Sequence, residues 1–275
     1  MSSIIYVPSL FPTTTSRSAA ATDFITRMIA ADVAAGNNSG LETPVQNAMA
    51  TLVDSLISAG AIGVNAQGIV TAANSTLKAV FGIPGGQTFA SMNVPLVYIS
   101  GASSQLFNFN ASHFVRKTGL ATDGSTTYIQ TNIGSSNGAI VSNNHISGVY
   151  ITNPGSSGQY MGAADTINLE PGGTTCQSTS TDSFTPSASN GFYAQARNNS
   201  ANYLRYKDGV ETTVTRASTT LTTNTFRIYQ RQHGTTQPLN SGARCCIYVI
   251  GNYVQPSVLA PIFNTYMTSI ANALP

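Results

Sequence analysis

Tyrosine and arginine side chains alternate along three short stretches of the sequence, residues 192–197, 203–206 and 226–231. Because successive side chains of a β-strand point to opposite faces, this spacing predicts that these tyrosines and arginines share one face of a sheet. Tyrosine rings and guanidinium groups are typical of protein interfaces, and they can also stack on sugars. The candidate binding residues are Tyr193, Arg197, Tyr203, Arg205, Arg227, Tyr229 and Arg231.

Three interpretations of this predicted face stay open. It is a solvated outer surface, a protein–protein contact or a glycan-binding surface. The sequence contains no tryptophan. Because tryptophan offers the broadest apolar platform to a sugar ring, its absence counts against the glycan interpretation.

The acidic residues do not have the spacing of a glycosidase centre. Hydrolysis of a polysaccharide needs two carboxylates about 5–9.5 Å apart on either side of the scissile bond. On one strand such a pair would be two acids two residues apart, and no acids in this sequence have that spacing. The sequence therefore predicts no catalytic residues and no enzymatic activity, although acids from separate strands could still converge.

Metal-ligating residue types are scattered in the same way. His113, His145 and His233 are isolated from one another, whereas a zinc site favours closely spaced His/Cys pairs. Asp123 and Asp208 stand in turn sequences, where carboxylates hydrogen-bond to turn amides. We expect no metal site and no cofactor.

The composition excludes several classes of protein. Charged residues make up 8% of the chain and the net charge is +2, which is too little and too dispersed for a nucleic-acid-binding surface. No apolar run approaches the roughly 20 residues of a membrane span. The N-terminal residues lack the basic start and apolar core of a secretory signal.

The N-terminal third of the chain has helical periodicity. Residues 1–22 are rich in Pro, Ser and Thr and are predicted to form an extended arm, with a flexible terminus as the alternative. A helical region is predicted to follow over residues 23–92. Helices are predicted at 23–35, 43–60 and 67–81. In the second of these, Thr43 is the predicted cap and Pro44 fits the first turn.

After Gly85-Gly86 the pattern changes to short runs with period two, separated by Gly, Asn, Ser and Asp. Asp208-Gly209 predicts a tight hairpin, and Pro256 opens a terminal helix with an apolar stripe. The predicted fold is mainly β. It is an antiparallel jelly-roll sandwich over residues 93–275, with a helical N-terminal extension and a C-terminal helix.

Four stretches together resemble the concanavalin A-like lectin/glucanase domains of tailed-bacteriophage structural proteins. Residues 43–60 are similar to the segment that precedes the sandwich in those proteins, and residues 247–274 to the final strand and helix. The two remaining stretches are KTGLATDGSTTYI at residues 117–129 and LRYKDGVETTV at residues 204–214. They are similar to strand–turn–strand units of these domains.

This resemblance implies a non-catalytic structural component of a bacteriophage virion, either a tail fibre, a tail accessory protein or a capsid decoration. Its expected partners are other virion proteins, bound through the arm and the helices, and further copies of itself. The expected location is the virion, assembled in the host cytoplasm. A receptor- or glycan-binding adhesin module that contacts a host surface glycan is the alternative, and a polysaccharide depolymerase ranks third.

Overall fold

The computed structural model describes residues 17–99, 104–155, 160–163, 167–170, 173–175, 189–218, 225–230 and 242–275. Within them two antiparallel sheets face each other, and a layer of helices packs on the outer face of one of them. The predicted fold class is confirmed, because the chain is a mainly β sandwich with helices at its N-terminal side and at its C-terminal end.

The described residues form four α-helices, seventeen strands and two short 3-10 helices. The helices are α1 (Ala19–Ala34), α2 (Thr43–Ser58), α3 (Phe89–Met92) and α4 (Pro256–Ala273). The strands up to the middle of the chain are β1 (Gly63–Val64), β2 (Val70–Thr71), β3 (Leu77–Phe81), β4 (Val97–Tyr98), β5 (Gln105–Phe107), β6 (Phe114–Val115), β7 (Gly119–Ala121) and β8 (Tyr128–Gly134). The others are β9 (His145–Asn153), β10 (Met161–Ala163), β11 (Ile167–Glu170), β12 (Gly173–Thr175), β13 (Gly191–Arg197), β14 (Asn202–Lys207), β15 (Val210–Thr215), β16 (Thr225–Ile228) and β17 (Arg244–Gly251).

The two sheets differ in size. The nine-stranded sheet has the order β15-β14-β13-β9-β17-β3-β4, with β6 and β7 paired beside β17, and the six-stranded sheet has the order β12-β11-β10-β16-β8-β5. Strands β1 and β2 form a separate hairpin. A buried contact joins the two sheets, since the Tyr229 hydroxyl just after β16 lies 3.2 Å from the Tyr248 hydroxyl of β17.

The helices cover the outer face of the nine-stranded sheet. Helix α4 packs on β13, and the ring of its Phe263 lies 5.0 Å from the ring of Phe192. Helix α2 packs against α4, and α1 against α2. As a result β13 is covered by α4 on one face and by the other sheet on the opposite face, which leaves almost all of its side chains buried.

The first two predicted helices are confirmed. Helix α1 begins earlier than predicted, at Ala19, because the Ser18 side chain accepts a hydrogen bond from the Ala21 N–H and caps the helix. Residues 19–22 of the predicted arm are therefore helical, and residues 1–16 lie outside the described residues. In α2, Thr43 is the first helical residue rather than the cap, a position that Glu42 occupies. No helix in the described part of the chain is long and apolar enough to cross a membrane.

The predicted third helix at residues 67–81 is wrong. The Asn65 side chain accepts hydrogen bonds from the backbone N–H groups of Gln67 and Ile69, and Gly68 has φ 76°, so this segment closes the β1–β2 hairpin. The second half forms β3, inside the nine-stranded sheet. A strand that is covered on both faces is apolar on both faces, and a short run of this kind resembles a helical stripe.

The predicted hairpin at Asp208-Gly209 is confirmed between β14 and β15. Both turn residues have a positive φ, 54° at Asp208 and 78° at Gly209. This is the turn geometry that matches the twist of the flanking strands, and Asp-Gly adopts it readily.

Candidate functional site

The predicted Tyr/Arg residues do not form one exposed face. Tyr193, Arg197, Tyr203 and Tyr229 are buried, with exposed fractions of 2%, 1%, 1% and 0%. The premise that their spacing brings them to the surface is therefore wrong for these four. Arg205 is partly exposed on β14, and Arg227 is partly exposed on β16 of the other sheet. Arg231 lies outside the described residues.

The structure brings Arg197 and Tyr203 together in the interior. The guanidinium carbon of Arg197 lies 5.6 Å from the centre of the Tyr203 ring. Its Nη1 donates to the main-chain carbonyls of Asn199, Ser200 and Arg216. Arg197 therefore holds the turn between β13 and β14 and does not face solvent.

Tyr229 leaves the predicted face because its backbone is left-handed, with φ 66°. This conformation ends the period-two alternation of β16 and turns the ring inward. Its hydroxyl donates to the Leu120 carbonyl and accepts from the Cys245 N–H at 3.1 Å. Tyr193 is also turned inward, where its hydroxyl donates to Asp208 Oδ1 at 2.8 Å.

A different exposed surface lies on the outside of the six-stranded sheet, across the adjacent strands β5, β8 and β16. Along β8, Ile129, Thr131 and Ile133 are fully buried, and Tyr128 and Gln130, which alternate with them, are partly exposed. The cross-strand partners extend the outward row, since Phe107 pairs with Tyr128, and Arg227 with Gln130. We call Phe107, Tyr128, Gln130 and Arg227 the outer row.

The outer row contains a continuous stack of flat groups. The rings of Phe107 and Tyr128 are 4.4 Å apart and inclined by 8°. The guanidinium carbon of Arg227 lies 4.8 Å from the centre of the Tyr128 ring. Because β5 and β16 flank β8 on opposite sides, the stack runs Phe107–Tyr128–Arg227 across three strands. Phe107 stands at the sheet edge and is 37% exposed.

Amide groups hold the guanidinium in place. Arg227 donates from Nε to Gln130 Oε1 at 2.6 Å and from Nη1 to Gln230 Oε1 at 2.6 Å. Gln130 in turn donates from Nε2 to Thr225 Oγ1. The positions of Arg227 and Gln130 are thus fixed before any ligand arrives, which lowers the entropic cost of binding.

The chemistry of the outer row suits a molecule with apolar C–H faces and polar edges. An aromatic ring presents a negative face to C–H groups, and amides and guanidinium groups donate and accept hydrogen bonds at fixed positions. The period-two pattern predicted short strands in this part of the chain, but the candidate binding residues did not include Phe107, Tyr128 and Gln130. The available signal was the alternation of Tyr128 and Gln130 with buried isoleucines along β8.

A polar pocket of about 530 Å³ lies on the other side of the molecule, beside α4. It is lined by Tyr206, Asp208, Asn190 and Asn264, among others. Within the described ranges no three or more His, Cys, Asp or Glu side chains are grouped closely enough to hold a metal ion.

Comparisons with known proteins show likeness in structure alone. No protein-family model matches the chain, and no curated protein matches it in sequence. The chain is similar to Trypanosoma rangeli sialidase in complex with 2,3-difluorosialic acid, at 12% identity and a TM-score of 0.50, over 83% of this chain and 40% of that one. The same sialidase in complex with sialic acid matches at 12% identity and a TM-score of 0.51, over 81% of this chain and 38% of that one.

A third structure is domain 4 of AbnA, a GH43 extracellular arabinanase from Geobacillus stearothermophilus, in complex with arabinotriose. It matches at 12% identity and a TM-score of 0.38, over 68% of this chain and 98% of that one. This chain therefore spans about two fifths of the length of the sialidases that it matches.

These matches correct two predictions. The prediction of a non-catalytic structural component of a bacteriophage virion is contradicted, because the solved structures with a similar fold include sialidases. The prediction that the chain is not an enzyme is contradicted by the same finding. At 12% identity the likeness itself shows the β-sandwich fold alone, so the sialidases' activity is not transferred to this chain.

Proposed function

We propose that this chain binds a glycan on the outer row of the six-stranded sheet. The observation that carries the proposal is the exposed Phe107–Tyr128–Arg227 stack with its fixed glutamine amides. Aromatic groups on the solvent side of a sheet are not needed for the core, which lies on the opposite face. The resemblance to concanavalin A-like lectin/glucanase domains and the structural likeness to sialidases agree with a role in carbohydrate recognition.

The geometry assigns separate roles to the residues. The outward side of Phe107, at the edge of the sheet, receives the apolar face of a sugar ring. Gln105, which is exposed on β5 opposite Gln130, can hydrogen-bond to hydroxyl groups next to that ring. Arg227 and Gln130 contact the sugar unit that follows the one on Phe107, in the direction from β5 to β16.

A glycan array probed with the full chain tests the proposal, followed by calorimetric titration of each hit. Phe107→Ala should weaken binding about five- to tenfold, because it removes an aromatic contact worth about 1 kcal/mol. Tyr128→Phe keeps the ring and should bind as the wild type does. Reducing ends measured on the same hits report whether a bound glycan is also cleaved.

Asn264→Ala is the matched control, because Asn264 is an exposed polar residue in the pocket beside α4. It should leave binding unchanged. A blank array at high protein concentration would overturn the proposal. Loss of binding in Asn264→Ala together with normal binding in Phe107→Ala would move the site away from the outer row.

A further inference from the structure

The outer row carries a positive charge, on Arg227, that no carboxylate of the described residues pairs with. Among the described residues the ion pairs join Arg27 to Asp23 and Arg116 to Glu42. The hydrogen-bond partners of Arg227 are instead the neutral amides of Gln130 and Gln230. A guanidinium group stays charged at every physiological pH, so this charge is permanent.

The polar groups around Arg227 are neutral as well. The outward side chains on β5, β8 and β16 next to it are Gln105, Phe107, Tyr128, Gln130 and Thr225, and its cross-strand partner on β10 is Gly162. None of these is acidic. Among the described residues of β5, β8 and β16, Arg227 is therefore the one charged side chain, and it gives the outer row a local positive potential.

The guanidinium also keeps donors available for a ligand. It has five N–H donors in one plane, and the two glutamines take one from Nε and one from Nη1. In the described structure Nη2 has no hydrogen-bond partner, and Arg227 is only partly buried. The Nη1–Nη2 edge can bind a carboxylate, or two oxygens of a tetrahedral oxyanion, through two parallel hydrogen bonds.

We infer that the outer row selects an anionic sugar, whose carboxylate or sulfate docks on the Nη1–Nη2 edge of Arg227. The inference rests on the proposed glycan-binding function and names the class of glycan. The Tyr128 ring holds the guanidinium from one side, and the two glutamine oxygens hold it in its plane. Because the guanidinium is already held in place, little side-chain entropy of Arg227 is lost when the anion binds.

The test is a glycan array made of matched pairs. In the first kind of pair, a uronic-acid oligosaccharide is compared with the same oligosaccharide after each carboxylate has been reduced to a hydroxymethyl group. In the second kind, a sulfated oligosaccharide is compared with its desulfated form. We expect at least tenfold tighter binding to the acidic member of a pair, because a guanidinium hydrogen bond to a charged acceptor is stronger than one to a neutral hydroxyl. The two arms distinguish a carboxylate from a sulfate as the anion.

Arg227→Gln should bring the affinity for the acidic member down to that for its neutral counterpart. Arg205→Gln removes the same charge from the other sheet and should leave the preference intact. Added salt should weaken binding of the acidic member more than that of the neutral one.

Equal binding to both members of each pair would overturn this inference and leave the proposed function standing. A preference that survives in Arg227→Gln would also overturn it. An array without any hit would remove the proposed function itself.

Discussion

Arg197 on β13 lies directly opposite His145 on β9, and each side chain has one buried nitrogen without a hydrogen-bond partner among the described residues. These nitrogens are Nη2 of Arg197 and Nε2 of His145. Nδ1 of His145 lies 3.0 Å from the Val141 carbonyl. Burial lowers the pKa of His145 to about 4, and the Arg197 charge acts in the same direction.

The lowered pKa of His145 predicts a loss of stability in weak acid. The folded-state pKa of about 4 lies below the ordinary value of 6.5. The contribution of neutral His145 to the free energy of unfolding is therefore fully present above pH 6.5. As the pH falls towards 4, the free energy of unfolding drops by up to about 3 kcal/mol. Urea unfolding at pH 7, 5 and 4 measures it. His145→Phe has no titrating ring and should lose less stability over this range; an identical loss in both proteins would contradict the prediction.

Asp123 organises the turn that leads into Tyr128. Its Oδ1 accepts from the backbone N–H groups of Ser125, Thr126 and Thr127. Burial acts to raise the pKa of Asp123, but these hydrogen bonds and the one from the Thr126 hydroxyl outweigh it and hold the pKa well below its ordinary range. Asp123→Ala should lower the free energy of unfolding by about 1–2 kcal/mol, because it leaves these amides without their acceptor.

Asp123→Asn keeps one acceptor oxygen and should cost less than Asp123→Ala. Because the turn positions Tyr128, Asp123→Ala should also weaken glycan binding, as measured by calorimetric titration. Equal unfolding midpoints for the wild type and Asp123→Ala would show that this turn contributes nothing to stability.

Phe263 anchors α4 on the nine-stranded sheet. It is fully buried and packs against Phe192 at 5.0 Å between ring centres. Phe263→Ala should lower the free energy of unfolding by about 3–5 kcal/mol through lost burial and the cavity left behind. Val258→Ala, at a position on the same helix that is 42% exposed, is the control and should change little. Denaturant unfolding measures both, and a loss below 1 kcal/mol in Phe263→Ala would contradict the anchoring role.

The Tyr229 hydroxyl joins backbone groups from separate strands. It donates to the Leu120 carbonyl of β7 and accepts from the Cys245 N–H of β17 at 3.1 Å. Tyr229→Phe preserves the ring but leaves both backbone groups unsatisfied inside the core, so we expect a loss of about 1–3 kcal/mol in the free energy of unfolding. Thermal unfolding checks this against Tyr128→Phe, whose ring is partly exposed and which should melt close to the wild type.

Local signals in the sequence were sufficient for several elements. The spacing of apolar residues predicted α2 and α4, and Asp208-Gly209 predicted the β14–β15 hairpin, because each depends on residues that are close together in the chain. The period-two runs also predicted the sandwich. The same rules failed at residues 67–81, where burial between neighbouring strands and helices, rather than local preference, decided the structure of β3.

The candidate site depended on tertiary structure. Alternation places Tyr193 and Arg197 on one face of β13, but only the packing of α4 and the second sheet decides that both faces of that strand are buried. The left-handed backbone of Tyr229 removes its side chain from the face on which Arg227 lies. A pattern of period two assumes a regular strand and does not predict this change of direction. The stack of Phe107, Tyr128 and Arg227 joins residues about 20 and 100 positions apart in sequence. Strand pairing brings them together, and the sequence pattern by itself determines only which way each side chain points within its own strand.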